Sequence, residues 1–140
     1  MAYDSNNIFA RILRGEIPCH KVYEDDHTLA FMDVMPQSDG HTLVIPRYEA
    51  ENVFELPTAQ LQALIATTQR IATAAKQAFA ADGLMLIQFN GEAAGQTVFH
   101  IHFHIVPRYD GKPLREHGRA MADQAVLSKQ AELLRQALNP

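Results

Sequence analysis

Three histidines alternate with large apolar residues in the run His100-Ile101-His102-Phe103-His104-Ile105-Val106. Successive side chains of a β-strand point to opposite faces, so this alternation predicts a strand, bounded by Val98 and Val106. The residues expected on its core face are Phe99, Ile101, Phe103 and Ile105, and those expected opposite are His100, His102 and His104. An imidazole can act as a base, acid, nucleophile or metal ligand near neutral pH. Three of them on one strand face therefore indicate a reactive site.

The segments around this run predict an α+β fold with a mainly antiparallel sheet. Apolar patterning predicts four further strands over 21–24, 28–34, 41–45 and 84–89, and Pro107 is expected to end the histidine strand. Helical spacing predicts a first helix over 5–14 capped by Ser5 or Asn6, a long helix from Pro57 that stops at Gly83, and a short helix over 128–138. A glycine-containing loop over 90–96 leads into the histidine strand. Few helices and strands in hairpins together favour the α+β class.

Length and composition indicate one domain spanning residues 1–140. The hydrophobic fraction is 47%, which is ordinary for a chain with a single core. No apolar run approaches the roughly 20 residues of a membrane span, and no secretion signal is expected at the N-terminus. Cys19 is the single cysteine, which excludes an intrachain disulfide and a Cys-rich zinc site. A reduced, cytoplasmic setting is therefore expected.

The formal net charge of −4 argues against binding to nucleic acid polymers. The charge is uneven: residues 1–99 hold 6 Lys/Arg and 12 Asp/Glu, whereas residues 100–140 hold 6 and 4. The basic segment after the histidine run contains Arg108, Lys112, Arg115 and Arg119. Two interpretations stay open at this point, a field that attracts a phosphorylated ligand and a solvated basic tail.

Three interpretations of the histidine run differ in their geometric demands. Same-face neighbours on a strand are about 6.6 Å apart, so two of the imidazoles could share a metal ion but three only with strain. Histidines satisfied by structural hydrogen bonds are the second interpretation. The third is covalent catalysis, because a neutral imidazole attacks phosphorus or acyl carbon when a carbonyl fixes the proton on its other nitrogen. The glycines and polar residues of the preceding loop suit a phosphate ligand.

The run resembles the signature of the histidine triad (HIT) family, in which three histidines alternate with apolar residues. Further similarity lies in Ile8-Phe9, Gly15-Glu16-Ile17-Pro18, Gly40-His41-Thr42-Leu43-Val44-Ile45-Pro46 and Ala94-Gly95-Gln96-Thr97-Val98. The chain is most similar to bacterial members of the branch that contains the HINT-type phosphoramidases. The resemblance implies a HIT-like α+β fold, with a five-stranded mainly antiparallel sheet and one long and one short helix. It also implies a homodimer with a continuous ten-stranded sheet.

The resemblance implies hydrolysis or transfer at the α-phosphate of a purine nucleotide substrate, without a cofactor. His102 would be the nucleophile that forms a nucleotidyl-histidine, His104 would contact the phosphate and leaving group, and His100 and His41 would orient the nucleophile. Gln96 and Thr97 would donate hydrogen bonds to phosphate oxygens and the leaving group, and Asn90 would help to hold the phosphate. The nucleoside would contact Asp33 through its ribose and Ile8, Phe9 and Phe31 through its base. Residues 108–140 resemble the family only loosely and form a variable C-terminal segment.

Without the resemblance, several of these residues have simpler interpretations. Asp33 could be a strand-end turn residue, and His41 a surface residue. Ile8, Phe9 and Phe31 would by default belong to the core. Three histidines outside the motif, His20, His27 and His117, are expected to be solvated, and no role is assigned to Cys19.

One departure from the family concerns zinc. Many bacterial relatives hold a structural zinc with a Cys-x-x-Cys pair and histidines. The matching positions here carry Asn7, Ala10 and Glu49. All three ligands are missing together, so the sequence predicts no structural metal site.

Three functional hypotheses remain. The first is a hydrolase of nucleoside phosphoramidates and related nucleotidyl esters that releases a nucleoside monophosphate. The second is a hydrolase of dinucleoside polyphosphates such as diadenosine tri- or tetraphosphate. The third is a nucleotide-binding signalling partner whose hydrolysis is incidental.

Overall fold

A computed structural model describes residues 2–116 and 120–139. One antiparallel sheet runs through it in the order β1-β2-β3-β5-β4. The strands are β1 (Lys21–Glu24), β2 (Thr28–Met32), β3 (Thr42–Pro46), β4 (Gly83–Ile87) and β5 (Phe103–Arg108). The α-helices are α1 (Ile8–Leu13), α2 (Thr58–Ala78) and α3 (Gln124–Leu138), and a 3₁₀ turn covers Glu92–Ala94. The predicted α+β class and five-stranded antiparallel sheet are confirmed.

Two layers of apolar side chains hold the sheet. The larger core lies where the sheet packs against α2 and α3, and it includes Val44, Ile71, Ile101, Ile105 and Leu127. The smaller cluster joins Phe9 of α1 to Phe31 and Leu43 on β2 and β3. Sequestering such side chains from water is the main source of stability. The smaller cluster also fixes α1 beside the histidine run.

The histidine run is only partly a strand, which corrects the predicted bounds of 98–106. β5 begins at Phe103 and continues through Pro107 to Arg108, because its ladder partners are Thr42–Val44 on β3 and Gly83–Ile87 on β4. Before Phe103 the chain leaves the ladder, and Ile101 N donates instead to Ala50 O. Ile101, Phe103 and Ile105 pack in or against the larger core as predicted, whereas Phe99 belongs to neither cluster. The histidines occupy the opposite side.

The ends of several elements differ from the sequence prediction. Asn7, rather than Ser5 or Asn6, caps α1, because its Oδ1 accepts from Ala10 N. β2 ends at Met32, two residues early. Pro57 is the N-cap of α2 rather than its first helical residue, and the helix ends at Ala78, so that Gly83 opens β4. α3 begins at Gln124 with Asp123 as its cap and has 15 residues, so the C-terminal helix is not short.

The turn before β3 requires glycine at position 40. Its φ is +90°, and an added Cβ would lie 2.5 Å from the Phe79 ring. The turn delivers His41 to the start of β3. No helix within residues 2–116 and 120–139 is long and apolar enough to cross a membrane.

Candidate active site

His100 is clamped at both ring nitrogens. Its Nε2 lies 2.7 Å from Pro46 O at the end of β3, and its Nδ1 lies 2.5 Å from the Tyr3 hydroxyl. A carbonyl can only accept, so Nε2 carries the proton and Nδ1 accepts from Tyr3. Burial lowers the pKa of His100, and the bond to Pro46 O only partly opposes this effect. His100 is therefore a buried, neutral imidazole.

His102 has its tautomer fixed by the main chain. Its Nδ1 lies 2.7 Å from the carbonyl oxygen of His100, so Nδ1 donates and the neutral ring has its lone pair on Nε2. The ring of Phe9 stands edge-on to it, with centroids 4.8 Å apart and planes at 89°. This contact holds the imidazole in one orientation at the wall of a cavity. A basic nitrogen of fixed orientation is what a nucleophile at phosphorus requires.

His104 takes part in a second hydrogen-bonded chain. The backbone N–H of Gln37 donates to His41 Nδ1 at 3.0 Å, so a neutral His41 carries its proton on Nε2. That Nε2 lies 3.0 Å from His104 Nδ1 and 3.3 Å from Asp33 Oδ2. His104 then accepts at Nδ1 and has its own proton on Nε2. His102 and His104 therefore differ in the proton at Nε2: His102 has a lone pair there, whereas His104 has a proton to donate.

Asp33 joins this chain to the cavity. It follows β2 and is nearly buried, and its Oδ1 accepts from Met35 N at 2.8 Å. Asp33 therefore has the turn role expected without the family resemblance, because its carboxylate accepts from the backbone N–H two residues later. The same residue also lines the cavity. His41 is completely buried, so the alternative of a surface histidine is wrong.

A cavity of about 640 Å³ opens in front of His102 and His104. Seven predicted site residues line it: Ile8, Phe9, Phe31, Asp33, Thr97, His102 and His104. Further apolar wall comes from Ile12, Ile17, Pro18, Cys19, Met32, Val34, Met35, Leu43, Val98 and Met121, and Gln124 adds an amide. The cavity thus combines an apolar wall with a polar end, as ligand sites commonly do.

The sequence analysis missed several of these wall residues. Ile12 lies one helical turn after Ile8 and could have been inferred from that spacing. Tyr3, which contacts His100 but does not line the cavity, was also missed, because its partner is 97 positions away in the chain. Met121 and Gln124 lie in the segment that resembles the family only loosely. Cys19, to which no role was assigned, is half-buried in this wall, and burial raises the pKa of its thiol.

Gln96 and Asn90 do not line the cavity. Gln96 is nearly buried, its Nε2 donates to Glu51 O at 2.6 Å and Val98 O at 3.0 Å, and its Oε1 accepts from Gly91 N. Asn90 exchanges hydrogen bonds with Gln88 and accepts from Val53 N at 2.8 Å. Both side chains therefore brace the loop before the histidine run. Their predicted contacts with phosphate would require these bonds to be exchanged.

The basic segment is partly used for structure. The Arg115 side chain forms an ion pair with Asp39 at 2.8 Å, and the backbone N–H of Arg115 donates to Gln37 O. Arg115 thus fastens the loop that positions His41. Arg108 contacts Lys112 O, while His117 and Arg119 lie outside the described residues.

The two remaining histidines outside the motif differ in their surroundings. His20 is half-buried, and its Nε2 lies 2.7 Å from Gln124 Oε1, so the expectation that it is simply solvated is wrong. His27 is exposed, as expected.

The positions that match the family's zinc ligands do not fit a metal. Asn7 uses its Oδ1 to cap α1, Ala10 has no donor atom, and Glu49 is exposed. Within the described part of the chain, Asp33, His41 and His104 are the one group whose atoms could converge on an ion. His41 contacts both of the others, through a hydrogen bond to His104 and a 3.3 Å contact with Asp33. The absence of a structural zinc stays a prediction.

Comparisons with known proteins identify the family. Residues 14–111 match the HIT domain family. The Bacillus subtilis (strain 168) protein named Protein hit is 47% identical over 104 residues, covering 74% of this chain and 72% of its own. Adenylylsulfatase HINT3 of Arabidopsis thaliana is 37% identical over 124 residues, covering 84% of this chain and 63% of its own.

A solved structure gives the same result for the fold. The crystal structure of a HIT-like protein involved in cell-cycle regulation from Bartonella henselae, with an unknown ligand, has a TM-score of 0.91 and 48% identity. The match covers 97% of this chain and 99% of that one. The similarity thus extends over nearly the whole chain, including the loosely matching C-terminal segment. The chain belongs to the HIT domain family of nucleotide-binding proteins.

Proposed function

We propose that the protein is a nucleotidyl hydrolase or transferase that acts at the α-phosphate of nucleoside phosphoramidates and related nucleotidyl esters. The observation that carries the proposal is the bond from His102 Nδ1–H to the His100 carbonyl, which leaves the lone pair on Nε2. The ring lies at the polar end of a cavity large enough for a nucleoside monophosphate. The site thus has a nucleophile of fixed tautomer and room for its substrate.

The chemistry proceeds in two displacements. In the first, the leaving nitrogen takes a proton from solvent, Nε2 of His102 forms a bond to phosphorus, and the bond between phosphorus and that nitrogen breaks, so that the amine leaves. His104 Nε2–H donates a hydrogen bond to the leaving nitrogen and keeps its proton. In the second, water attacks phosphorus, the His102–phosphorus bond breaks, and the proton from water passes to solvent as nucleoside monophosphate leaves. Both imidazoles end in their starting states.

The remaining residues bind and position the substrate. Phe9, Phe31 and Ile8 supply apolar surface for the base, and Asp33 accepts from the ribose hydroxyls. Of the three loop residues predicted to contact phosphate, Asn90, Gln96 and Thr97, only Thr97 lies on the cavity wall, so its hydroxyl is available to the phosphate oxygens. Gln96 and Asn90 contribute by holding the loop that presents Thr97.

The proposal includes a homodimer and a cytoplasmic setting. β4 forms one edge of the sheet, and its sequence Gly-Leu-Met-Leu-Ile has no charge or proline to discourage pairing. Leu86 on this strand is 47% exposed, and Ile65 on α2 is 41% exposed. A second copy of the chain would cover this surface and extend the sheet to ten strands. The single free thiol, Cys19, suits a reducing compartment.

Replacement of the nucleophile tests the activity. His102→Asn removes the basic nitrogen, and we expect kcat on an adenosine phosphoramidate to fall by at least about 10⁴-fold, whereas loss of one hydrogen-bond donor to the transition state costs about 10²–10³. His27→Asn, at an exposed histidine away from the triad, is the matched control. A His102→Asn variant that retains wild-type turnover would contradict the proposal.

A substrate panel identifies the leaving group. It contains an adenosine phosphoramidate, a diadenosine polyphosphate and adenylyl sulfate, the last because one relative is named an adenylylsulfatase. We expect the highest kcat/KM on the phosphoramidate. If kcat/KM is instead highest on the diadenosine polyphosphate, dinucleoside polyphosphates are the substrate class. Tight nucleotide binding with negligible turnover of all three would favour the signalling hypothesis.

A further inference from the structure

Tyr3 is joined to the proposed nucleophile through one intermediate residue. Its hydroxyl donates to His100 Nδ1, the two rings contact edge-on with centroids 5.7 Å apart, and the carbonyl of His100 accepts from His102 Nδ1. Tyr3 does not line the cavity. It therefore contacts the triad outside the cavity in which a substrate would bind.

The peptide unit between residues 100 and 101 has two anchors. β5 begins only at Phe103, so the residues from 98 to 102 have no ladder bonds. One main-chain bond, from Ile101 N to Ala50 O, holds this planar unit, which also carries the His100 carbonyl. The His100 ring is the second anchor, bound at its two ends by Pro46 O and by Tyr3. Without Tyr3 the ring could pivot about the bond to Pro46, and the His100 carbonyl could rotate about the remaining bond to Ala50.

The two hydrogen-bond partners of the His100 ring lie in different parts of the fold. Pro46 belongs to β3 and is fixed by the sheet. Tyr3 belongs to the N-terminal segment, which leads into α1 through the capping residue Asn7. Helix α1 also supplies Phe9, whose ring contacts His102. The N-terminal segment thus contacts the triad at two successive histidines.

We infer that Tyr3 is a positioning residue for the proposed nucleophile: its hydroxyl fixes the His100 ring, and the His100 carbonyl fixes the Nδ1–H tautomer of His102. Burial raises the pKa of the Tyr3 phenol, so the donor stays protonated across the neutral range. The inference rests on the proposed function for its kinetic consequence. Its structural core, a tautomer set through two hydrogen bonds, does not depend on turnover.

Tyr3→Phe tests the inference because it removes the hydroxyl and keeps the ring. We expect kcat on an adenosine phosphoramidate to fall roughly tenfold, the scale on which outer partners of active-site histidines act. KM and the Kd for adenosine monophosphate should stay unchanged, since Tyr3 does not contact the cavity. Tyr23→Phe is the matched control, because Tyr23 lies on β1 away from the triad and its hydroxyl is bonded to Asp25.

A spectroscopic measurement separates positioning from a merely structural role. ¹⁵N NMR of the histidine side chains distinguishes a protonated ring nitrogen from an unprotonated one. In the wild type and Tyr23→Phe, His102 should show one Nδ1–H tautomer, whereas in Tyr3→Phe its ring nitrogens should shift toward a mixture. Thermal unfolding of each variant shows whether the fold is retained.

Each outcome decides one claim. A Tyr3→Phe protein with wild-type kcat and an unchanged His102 spectrum overturns the inference. An equal loss of kcat in both tyrosine variants, or a loss explained by a raised KM, also overturns it. If the wild type proves inactive on every substrate, the proposed function fails, and the NMR comparison still decides whether Tyr3 sets the tautomer.

Discussion

At the scale of single residues, the four buried histidines have different chemical environments. His100 is neutral and saturated by hydrogen bonds, His41 transmits a contact from Gln37 to His104, and His102 faces the cavity with a fixed tautomer. The sequence placed all of them correctly in one group. The residue pattern alone could not distinguish their roles, which only the family resemblance suggested, because each role depends on a partner far away in the chain.

The lowered pKa of His100 predicts how stability depends on pH. In the unfolded chain this imidazole becomes protonated below about pH 6.5, whereas the folded chain resists protonation. The unfolded state then binds more protons, so the free energy of unfolding falls as pH falls below that value, by up to about 1.4 kcal/mol per pH unit from this group. Above about pH 6.5, His100 is neutral in both states and does not make the free energy of unfolding depend on pH.

Chemical denaturation between pH 5 and 8 measures this dependence, with His100→Gln as the comparison, since glutamine keeps a polar side chain that does not titrate. The wild type should lose more stability than His100→Gln as the pH falls. Identical slopes for the two proteins would show that His100 titrates normally in the folded state.

At the scale of elements, the alternation of the histidine run correctly predicted that Ile101, Phe103 and Ile105 face the core, whereas Phe99 packs in neither cluster. It did not predict where the strand begins. Side-chain alternation requires only an extended backbone, whereas a strand also needs a ladder partner, and β3 supplies partners only from Phe103 onward. The helix ends were mispredicted for a related reason, because Asn7 and Asp123 could be chosen as caps only with the folded geometry known.

The roles of loop residues were harder to predict than the elements. Gln96 was expected to donate to phosphate because it is polar and precedes the triad. In the fold both its amide donors bind backbone carbonyls. Buried polar groups need partners, and the partner Glu51 O is 45 positions away, which no local pattern reveals.

The turn before β3 gives a prediction at this scale. Gly40→Ala should destabilise the protein, because the residue combines a φ of +90° with a Cβ position that overlaps Phe79. Gly15→Ala is the control, since its φ is +78° but its Cβ would meet no atom within 4 Å. We expect a cost of about 1 kcal/mol at Gly15 and about 1–3 kcal/mol more at Gly40.

Urea denaturation of the two variants measures this difference. Gly40→Ala should also reduce turnover, because the turn delivers His41 to its contact with His104. Equal destabilisation at the two positions would mean that Phe79 moves aside without cost.

At the scale of the whole molecule, the apolar edge formed by β4 predicts a dimer. Leu86→Lys places a charge on that edge and should convert a dimer into a monomer, because a charge on an edge strand opposes pairing. Leu133→Lys on α3 is the matched control, since Leu133 is similarly exposed at 39% but lies away from the edge. Light scattering coupled to gel filtration measures the mass of each variant.

The dimer prediction has a clear negative result. A wild-type protein that is monomeric at micromolar concentration would refute it. A Leu86→Lys variant that stays dimeric would place the interface elsewhere on the molecule.

The whole fold also decides what the cavity can bind. The N-terminal helix supplies Phe9, the sheet supplies Phe31 and His104, and the C-terminal segment supplies Gln124. The sequence predicted the first three from the family resemblance and missed the last, because residues 108–140 carry little family signal. Substrate preference at the C-terminal wall is therefore the part of the function that the sequence predicts least.

The most direct test of the central claim is to trap the covalent intermediate. The protein is mixed with an adenosine phosphoramidate, quenched rapidly at alkaline pH, digested and mapped by mass spectrometry. We predict one adenylyl group, attached to His102 and missing in His102→Asn. Turnover without any adenylylated protein, or an adenylyl group on another residue, would contradict the account.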